Sequence, residues 1–426
     1  MTIYDVTFTI PNNRSSKKSA VVGFAEFVDF VGTVTRFGSP RSVFLDLSKV
    51  MFAHPSGMAP LVAYIRHLHS RGCVVDVALP TDRDLEDYFQ KAGWKDGIEG
   101  DQIGYKKAWP GKTYIPLSTY RSHQELNPII SDTIRHINRT IDLGSGVIES
   151  LEWCINEVAD NVLNHSGGAT GYLQVAEQPK KKLIEFVVVD LGRGVLNSLQ
   201  ESRPHLKTDE HALQLAVEKG VTRDLNVGQG NGLAGTWRIA IASGGYANLY
   251  SGRGLLRYLA PRDNPWEPAV KSRFRDIPGE IFVQTAPNFP GTIVSITIPR
   301  NQTVDLTKAL WGHSPMSQLE EIFLSDDGDR IMFDVLKHSS GFGNRATAKP
   351  LRTEVENLLR QFPDKRIEIN FGNINVIAAS FADEFVARLA KELGIATFFQ
   401  RVSLTGTNEF VRRTLDVVIQ QRLQTK

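Results

Sequence analysis

Cysteine is nearly absent from this chain: its 426 residues include two, Cys73 and Cys154, both in apolar contexts. They form no disulfide framework and no zinc-ligand pattern, which fits a reducing compartment. Long hydrophobic runs are missing too. No segment reaches the roughly 18 apolar residues of a membrane span, and the opening MTIYDVTFTIP lacks the charged start and apolar centre of a secretory leader. We therefore expect a cytoplasmic protein with no membrane partner. Nor does either sign of charge dominate: 49 Lys and Arg face 47 Asp and Glu, a net charge of +2. That excludes a general polyanion-binding character; a nucleic-acid surface would have to be local, and none is evident. The length predicts two to four domains, each able to bury its own core.

The chemistry is concentrated between Asn156 and Gly235. In NEVADNVLNHS, Glu157, Asn161 and His165 recur at intervals of four, so a helix stacks them on one face. Ile148, Leu151, Ile155, Val158 and Val162 give the same helix an apolar stripe. LIEFVVV then reads as a buried strand, and DLGRG, Asp190 to Gly194, follows it. A carboxylate at the end of a buried strand, followed by Gly192 and Gly194, suits a ligand with hydrogen-bond donors on its edge and a body that approaches the backbone. GQGNGLAG, Gly228 to Gly235, opens a further helix, and free N–H groups there can cradle phosphate oxygens.

The order and spacing of these clusters resemble the GHKL superfamily, the ATPases of gyrase, the heat-shock chaperone and histidine kinases. NEVADNVLNH resembles the N box, DLGRG the first glycine box, GQGNGL the second, and FPGTIVSITIP, with Gly291-Thr292, the closing strand. The resemblance implies ATP and Mg²⁺ as cofactors. Asn161 would ligate the magnesium, Glu157 would orient or deprotonate the attacking water, and His165 matches the basic position near the phosphates. Asp190 would accept the adenine amino hydrogen, with Gly192, Gly194, Gly228, Gly230, Asn231, Gly232, Leu233 and Thr292 completing the pocket. Val195 to Val227 matches the lid; it carries Arg203, Lys207 and Arg223 and a predicted helix from Asp209 to Lys219, capped by Thr208 or Asp209.

Residues 1–96 alternate strand and helix, as a small α/β layer does. Within them FLDLSKVMFAHPSGMAPLVAYIRHL resembles a STAS domain, although His54-Pro55-Ser56-Gly57 stands where that family usually has Asp-Ser-Ser-Gly. Ser56 is either a helix cap or the serine that partner-switching kinases modify. Residues 97–122 read as a linker with one strand, and His123 in HQELNP reads as a surface residue. Residues 123–300 hold the GHKL resemblance, predicting a two-layer sandwich with a mixed sheet covered by helices on one face. After a linker at 301–325, residues 326–426 alternate again, with strands expected at 330–336, 366–371 and 397–400. There GFGNRATAK and INFGNINVIAASFADEF resemble a STAS-like domain of unknown function. Ser380 is expected as a helix cap, with Glu384 near the capping-box position.

The fold class expected is thus a multidomain α/β and α+β chain, a central GHKL sandwich between two STAS-like domains. The resemblance implies a nucleotide-dependent ATPase switch that acts on an unidentified protein partner through the STAS-like domains, and a homodimer is compatible with it. Two alternatives stay open: an anti-sigma-type serine kinase that modifies a STAS serine, and a scaffold that senses ATP without hydrolysing it.

Overall fold

The computed structural model describes residues 4–10, 20–100, 103–109, 111–218, 220, 232–260, 280–313, 315 and 317–424. It is a mixed α/β chain. Its first stretch contains β1 (Val6–Thr9), β2 (Ala20–Val22), α1 (Phe24–Phe37), β3 (Ser42–Asp46), β4 (Val50–Ala53), α2 (Pro55–Ser70), β5 (Val74–Ala78), α3 (Arg83–Lys91) and α4 (Trp94–Glu99). β1, β3 and β5 form a parallel sheet in that order, and β2 pairs with β4 in parallel. Buried residues recur along α1 at helical spacing, Phe24, Phe27, Val31 and Val34, as a helix with one packed face requires.

The middle stretch comprises β6 (Tyr114–Tyr120), α5 (His123–Thr140), α6 (Val147–His165), β7 (Gly171–Gln178), β8 (Leu183–Asp190), α7 (Gly194–Gln200), α8 (Asp209–Ala216), α9 (Gly232–Ala242), β9 (Tyr246–Leu259) and β10 (Glu280–Pro299). The sheet order is β6-β7-β8-β10-β9, and every neighbouring pair is antiparallel. This corrects the expected mixed sheet. β8 and β9 do run the same way, but β10 folds back between them, so no parallel neighbours remain. β6 is the one strand expected within residues 97–122.

The sheet is buried on both faces, which corrects the expectation of helices on one face only. Along β8, Val187 and Val189 belong to the same core as Phe27, Phe30 and Tyr64 of the first stretch, because α1 and α2 pack on β7, β8 and β10. The alternate residues Ile184, Phe186 and Val188 are equally buried on the opposite face, where Asp190 also points. Residues 1–133, 150–299 and 305–313 accordingly form one compact unit. β8 pairs with β10 only from Thr292 to Pro299, so the part of β9 and β10 beyond Asp190 overhangs as a two-stranded ribbon.

The second unit comprises residues 134–149, 300–304 and 314–426. Between the strands at 299 and 330 lie α10 (Leu306–Ala309), which belongs to the first unit, and α11 (Gln318–Phe323). Then come β11 (Arg330–Asp334), α12 (Val335–His338), α13 (Arg345–Gln361), β12 (Arg366–Asn370), α14 (Ala379–Ala382), α15 (Arg388–Leu393), α16 (Ile395–Arg401), β13 (Val402–Thr405) and α17 (Glu409–Gln424). A π-helical turn, Asp383–Ala387, joins α14 to α15. β11, β12 and β13 make a parallel sheet. The strand expected at 397–400 is instead helical: Phe398 is buried on α16, and the strand begins at Val402. Within this unit the buried Asn357 amide donates to the carbonyls of Asn138 and Ile141 (both 2.8 Å) and accepts from Leu143 N–H (2.9 Å), closing the C-terminal end of α5.

Candidate functional site

α6 places Glu157, Asn161 and His165 in the stacked order that the spacing predicts, with Leu151, Ile155, Val158 and Val162 buried beside them. Burial, with Asp160 nearby, holds the Glu157 carboxyl above the usual carboxylate range. Gly232 opens α9 against it, since a Cβ at Gly232 would collide with Glu157 Oε2. Three residues on, a Cβ at Gly235 would strike Trp153, so α9 meets α6 so closely that a side chain at either position would displace Glu157 or Trp153. Asn161 is half-buried, and its side chain makes no hydrogen bond with any described residue.

Asp190 ends β8 with 6% exposure. Burial pushes its carboxyl up to about 6, an effect that the Gly192 N–H, donated at 2.8 Å, partly offsets. The turn after it is stitched to the end of α6. Arg193 N–H donates to the Ser166 carbonyl (3.1 Å), Arg193 Nε donates to the His165 carbonyl (2.8 Å), and a Cβ on Gly192 would strike Ser166. Tyr120 joins the same elements from below: it is fully buried, its hydroxyl donates to the Ala159 carbonyl (3.1 Å), and Asp190 and Asp160 both raise the pKa of its phenol, though less than burial does.

Thr292 lies opposite Asp190 in the β8–β10 register. Gly291 beside it has φ +121°, and a Cβ there would collide with the Asp190 carbonyl. Ser251 fastens this corner: its hydroxyl accepts from Val195 N–H (2.9 Å), donates to the Gly291 carbonyl (2.7 Å) and lies 3.3 Å from Thr292 Oγ1. Gly194, with φ +77°, turns the chain directly before Val195. Leu233 packs with Leu199, Leu206, Ala212 and Ala216 in a small core under α7 and α8. Thr208 caps α8, and the helix ends at Ala216.

The structure thus brings Glu157, His165, Asp190, Gly192, Gly194, Gly232, Leu233 and Thr292 to connected elements. Gly228, Gly230, Asn231 and Arg223 lie outside the described residues. Ser251, Ser166, Arg193 and Tyr120 were not singled out from the sequence. Tyr120 ends the one strand expected within residues 97–122, and nothing in that stretch marks it as part of a site.

The two candidate serines are not caps. Ser56 sits inside the first turn of α2, 7% exposed, and both its N–H and its hydroxyl donate to Glu185 of β8, a carboxyl that burial holds above its usual range. The N-cap of α2 is His54, and the buried Glu185 serves the helix N-terminus instead. In the second unit Ala378, not Ser380, caps α14. Glu384 turns inward to Arg352 and Arg388 rather than to a helix end.

Residues 347–412 match the family model of a STAS-like domain of unknown function, DUF4325. No curated protein and no solved structure matches the chain. The STAS-like domain therefore accounts for α13 through the start of α17, including Asn357, Glu384 and Ser380. No helix among the described residues is long and apolar enough to cross a membrane.

Proposed function

We propose that the first unit binds ATP in the manner of a GHKL ATPase and that the chain is a nucleotide-dependent switch. The observation that supports this most is the joining of three segments distant in sequence. The Asp190–Gly194 turn is bonded to the end of α6, and Gly232 at the start of α9 abuts Glu157 on α6.

The residues present fit the cofactors. Asp190 is a buried acceptor with one N–H donor and capacity for a second, matching an amino hydrogen on adenine. Guanine would turn an oxygen toward the same carboxyl and leave two acceptors facing, at a cost of about 1–3 kcal/mol. Among the described residues no group of three His, Cys, Asp or Glu could hold a metal. By the resemblance, a magnesium ion would rest on the Asn161 amide oxygen, phosphates and water, the sparse protein ligation that Mg²⁺ favours. When bound it would neutralise phosphate charge. The raised Glu157 carboxyl is better matched to accepting a proton from water near neutral pH than an exposed glutamate would be.

Phosphate release by the parent and by Glu157→Gln tests the hydrolytic part. We expect a loss of about 100-fold or more in the variant, with binding of a non-hydrolysable analogue retained. Equal release by both would remove Glu157 as the base, and tight binding without turnover in the parent would favour the sensing scaffold. The serine-kinase reading is weakened at Ser56, because Glu185 covers its hydroxyl.

A further inference from the structure

The overhanging β9–β10 ribbon carries a different client on each face. Gly254 and Thr285 are cross-strand partners and share one face. On that face α8 is fastened: Asp209 accepts from Arg253 N–H (2.9 Å), Thr285 Oγ1 donates to Glu210 (2.5 Å), and a Cβ on Gly252 would collide with Asp209. Leu255 and Ala286 point the other way, into the core shared with α1 and α2. There Gly32 of α1 approaches Pro287 so closely that a Cβ would lie 3.0 Å from its ring, while Phe27 stacks edge-on against Phe289 (5.8 Å). Ser251 sits at the root of the ribbon and holds Val195, in the first turn of α7.

We propose that this ribbon is a lever through which the N-terminal region, by its seating on Pro287 and Phe289, controls whether the α7–α8 segment covers the candidate nucleotide site. The two-state element is the α7–α8 segment with its small core of Leu199, Leu206, Ala212 and Ala216, docked on the ribbon or released from it. A two-stranded ribbon cannot shift on one face while its backbone stays fixed on the other, so displacement of α1 moves the Arg253 N–H away from Asp209. Coupling of this kind is reciprocal: release of α8 must loosen α1 by the same factor. The regulatory meaning rests on the nucleotide reading above, whereas the mechanical coupling does not.

Hydrogen exchange followed by mass spectrometry on the full chain, without nucleotide, tests the coupling. Gly32→Val wedges α1 off Pro287 without weakening the helix it lies in, and Asp209→Ala frees α8. We expect Gly32→Val to speed exchange in residues 209–216, and Asp209→Ala to speed it in residues 24–37, each by roughly 5- to 100-fold. Unchanged exchange at β12 serves as the control for global unfolding. If Gly32→Val does not fold, Pro287→Ala, which removes the contact from the other side, replaces it. Faster exchange confined to the mutated element would overturn the lever. Binding of an ATP analogue to the same variants tests the regulatory half: coupled exchange with unchanged affinity would overturn it. A parent that binds no nucleotide would sink the proposed function and leave the coupling to stand or fall on exchange alone.

Discussion

Asp190→Asn is expected to make the protein more stable and less able to bind adenine. Burial raises the Asp190 carboxyl from its ordinary 3.8 to about 6. A group whose folded-state pKa exceeds the unfolded value contributes stability that is full below the unfolded pKa and is lost as pH rises through the folded one. For Asp190 that window runs from about 4 to about 6, and the displacement corresponds to about 3 kcal/mol. Asparagine keeps an oxygen for the Gly192 N–H and carries no charge to bury. The variant should therefore match the parent at about pH 4 and exceed its unfolding free energy by up to about 3 kcal/mol near pH 8. Burial raises Glu185 in the same direction, so only the difference between variant and parent isolates Asp190. Urea unfolding across this range measures it. The asparagine amide presents a donor as well as an acceptor, so affinity for an adenine nucleotide should fall by about 1–3 kcal/mol near pH 8. A variant less stable than the parent at high pH, or with the same pH slope, would refute the reasoning. Higher stability with unchanged affinity would refute the role in adenine recognition alone.

Gly291→Ala should cost at least about 3 kcal/mol, because φ +121° is strained for alanine and its Cβ meets the Asp190 carbonyl; thermal unfolding measures it. Asn357→Ala leaves the carbonyls of Asn138 and Ile141 and the Leu143 N–H without their partner, for about 3 kcal/mol lost from the second unit, read by hydrogen exchange at α13. Ser56→Ala removes one of the two donors that Ser56 gives Glu185 and should lower stability by about 1–2 kcal/mol. Incubation with γ-labelled ATP should leave Ser56 unlabelled, and label at that hydroxyl would restore the kinase reading.

α6 could be read from the sequence because it buries one regular stripe, and β8 because it is buried on both faces and so reads as an unbroken apolar run; the motif residues Glu157, Asn161, His165 and Asp190 fall on these two elements. Contacts between distant segments leave no such trace. Nothing in Pro55-Ser56-Gly57 reveals that the acceptor for Ser56 is Glu185, since a buried carboxylate within LIEFVVV could face either side. Phe27, Phe30 and Tyr64 read equally well as the centre of an independent small domain, and only the folded chain shows them against Val187 and Ile293. Pro116 hides the bounds of the strand expected within residues 97–122, because proline weakens a strand signal, and Thr397 to Gln400 looked like a strand because aromatic and β-branched residues favour both a pleated surface and a short buried helix. The serine that fastens the corner near Asp190 occupies an unremarkable YSGRG and becomes visible only once Val195 and Gly291 are beside it.

Because one face of the five-stranded sheet is covered by α1 and α2, a dissection that begins the polypeptide near β6 would not yield a self-sufficient nucleotide module. It would bare Val187, Val189, Tyr250 and Ile293 to water and strip Ser56 from a carboxylate in their midst. Such a truncated product should self-associate or precipitate rather than lose activity quietly. The smallest soluble piece that retains the candidate site is expected to start ahead of β1.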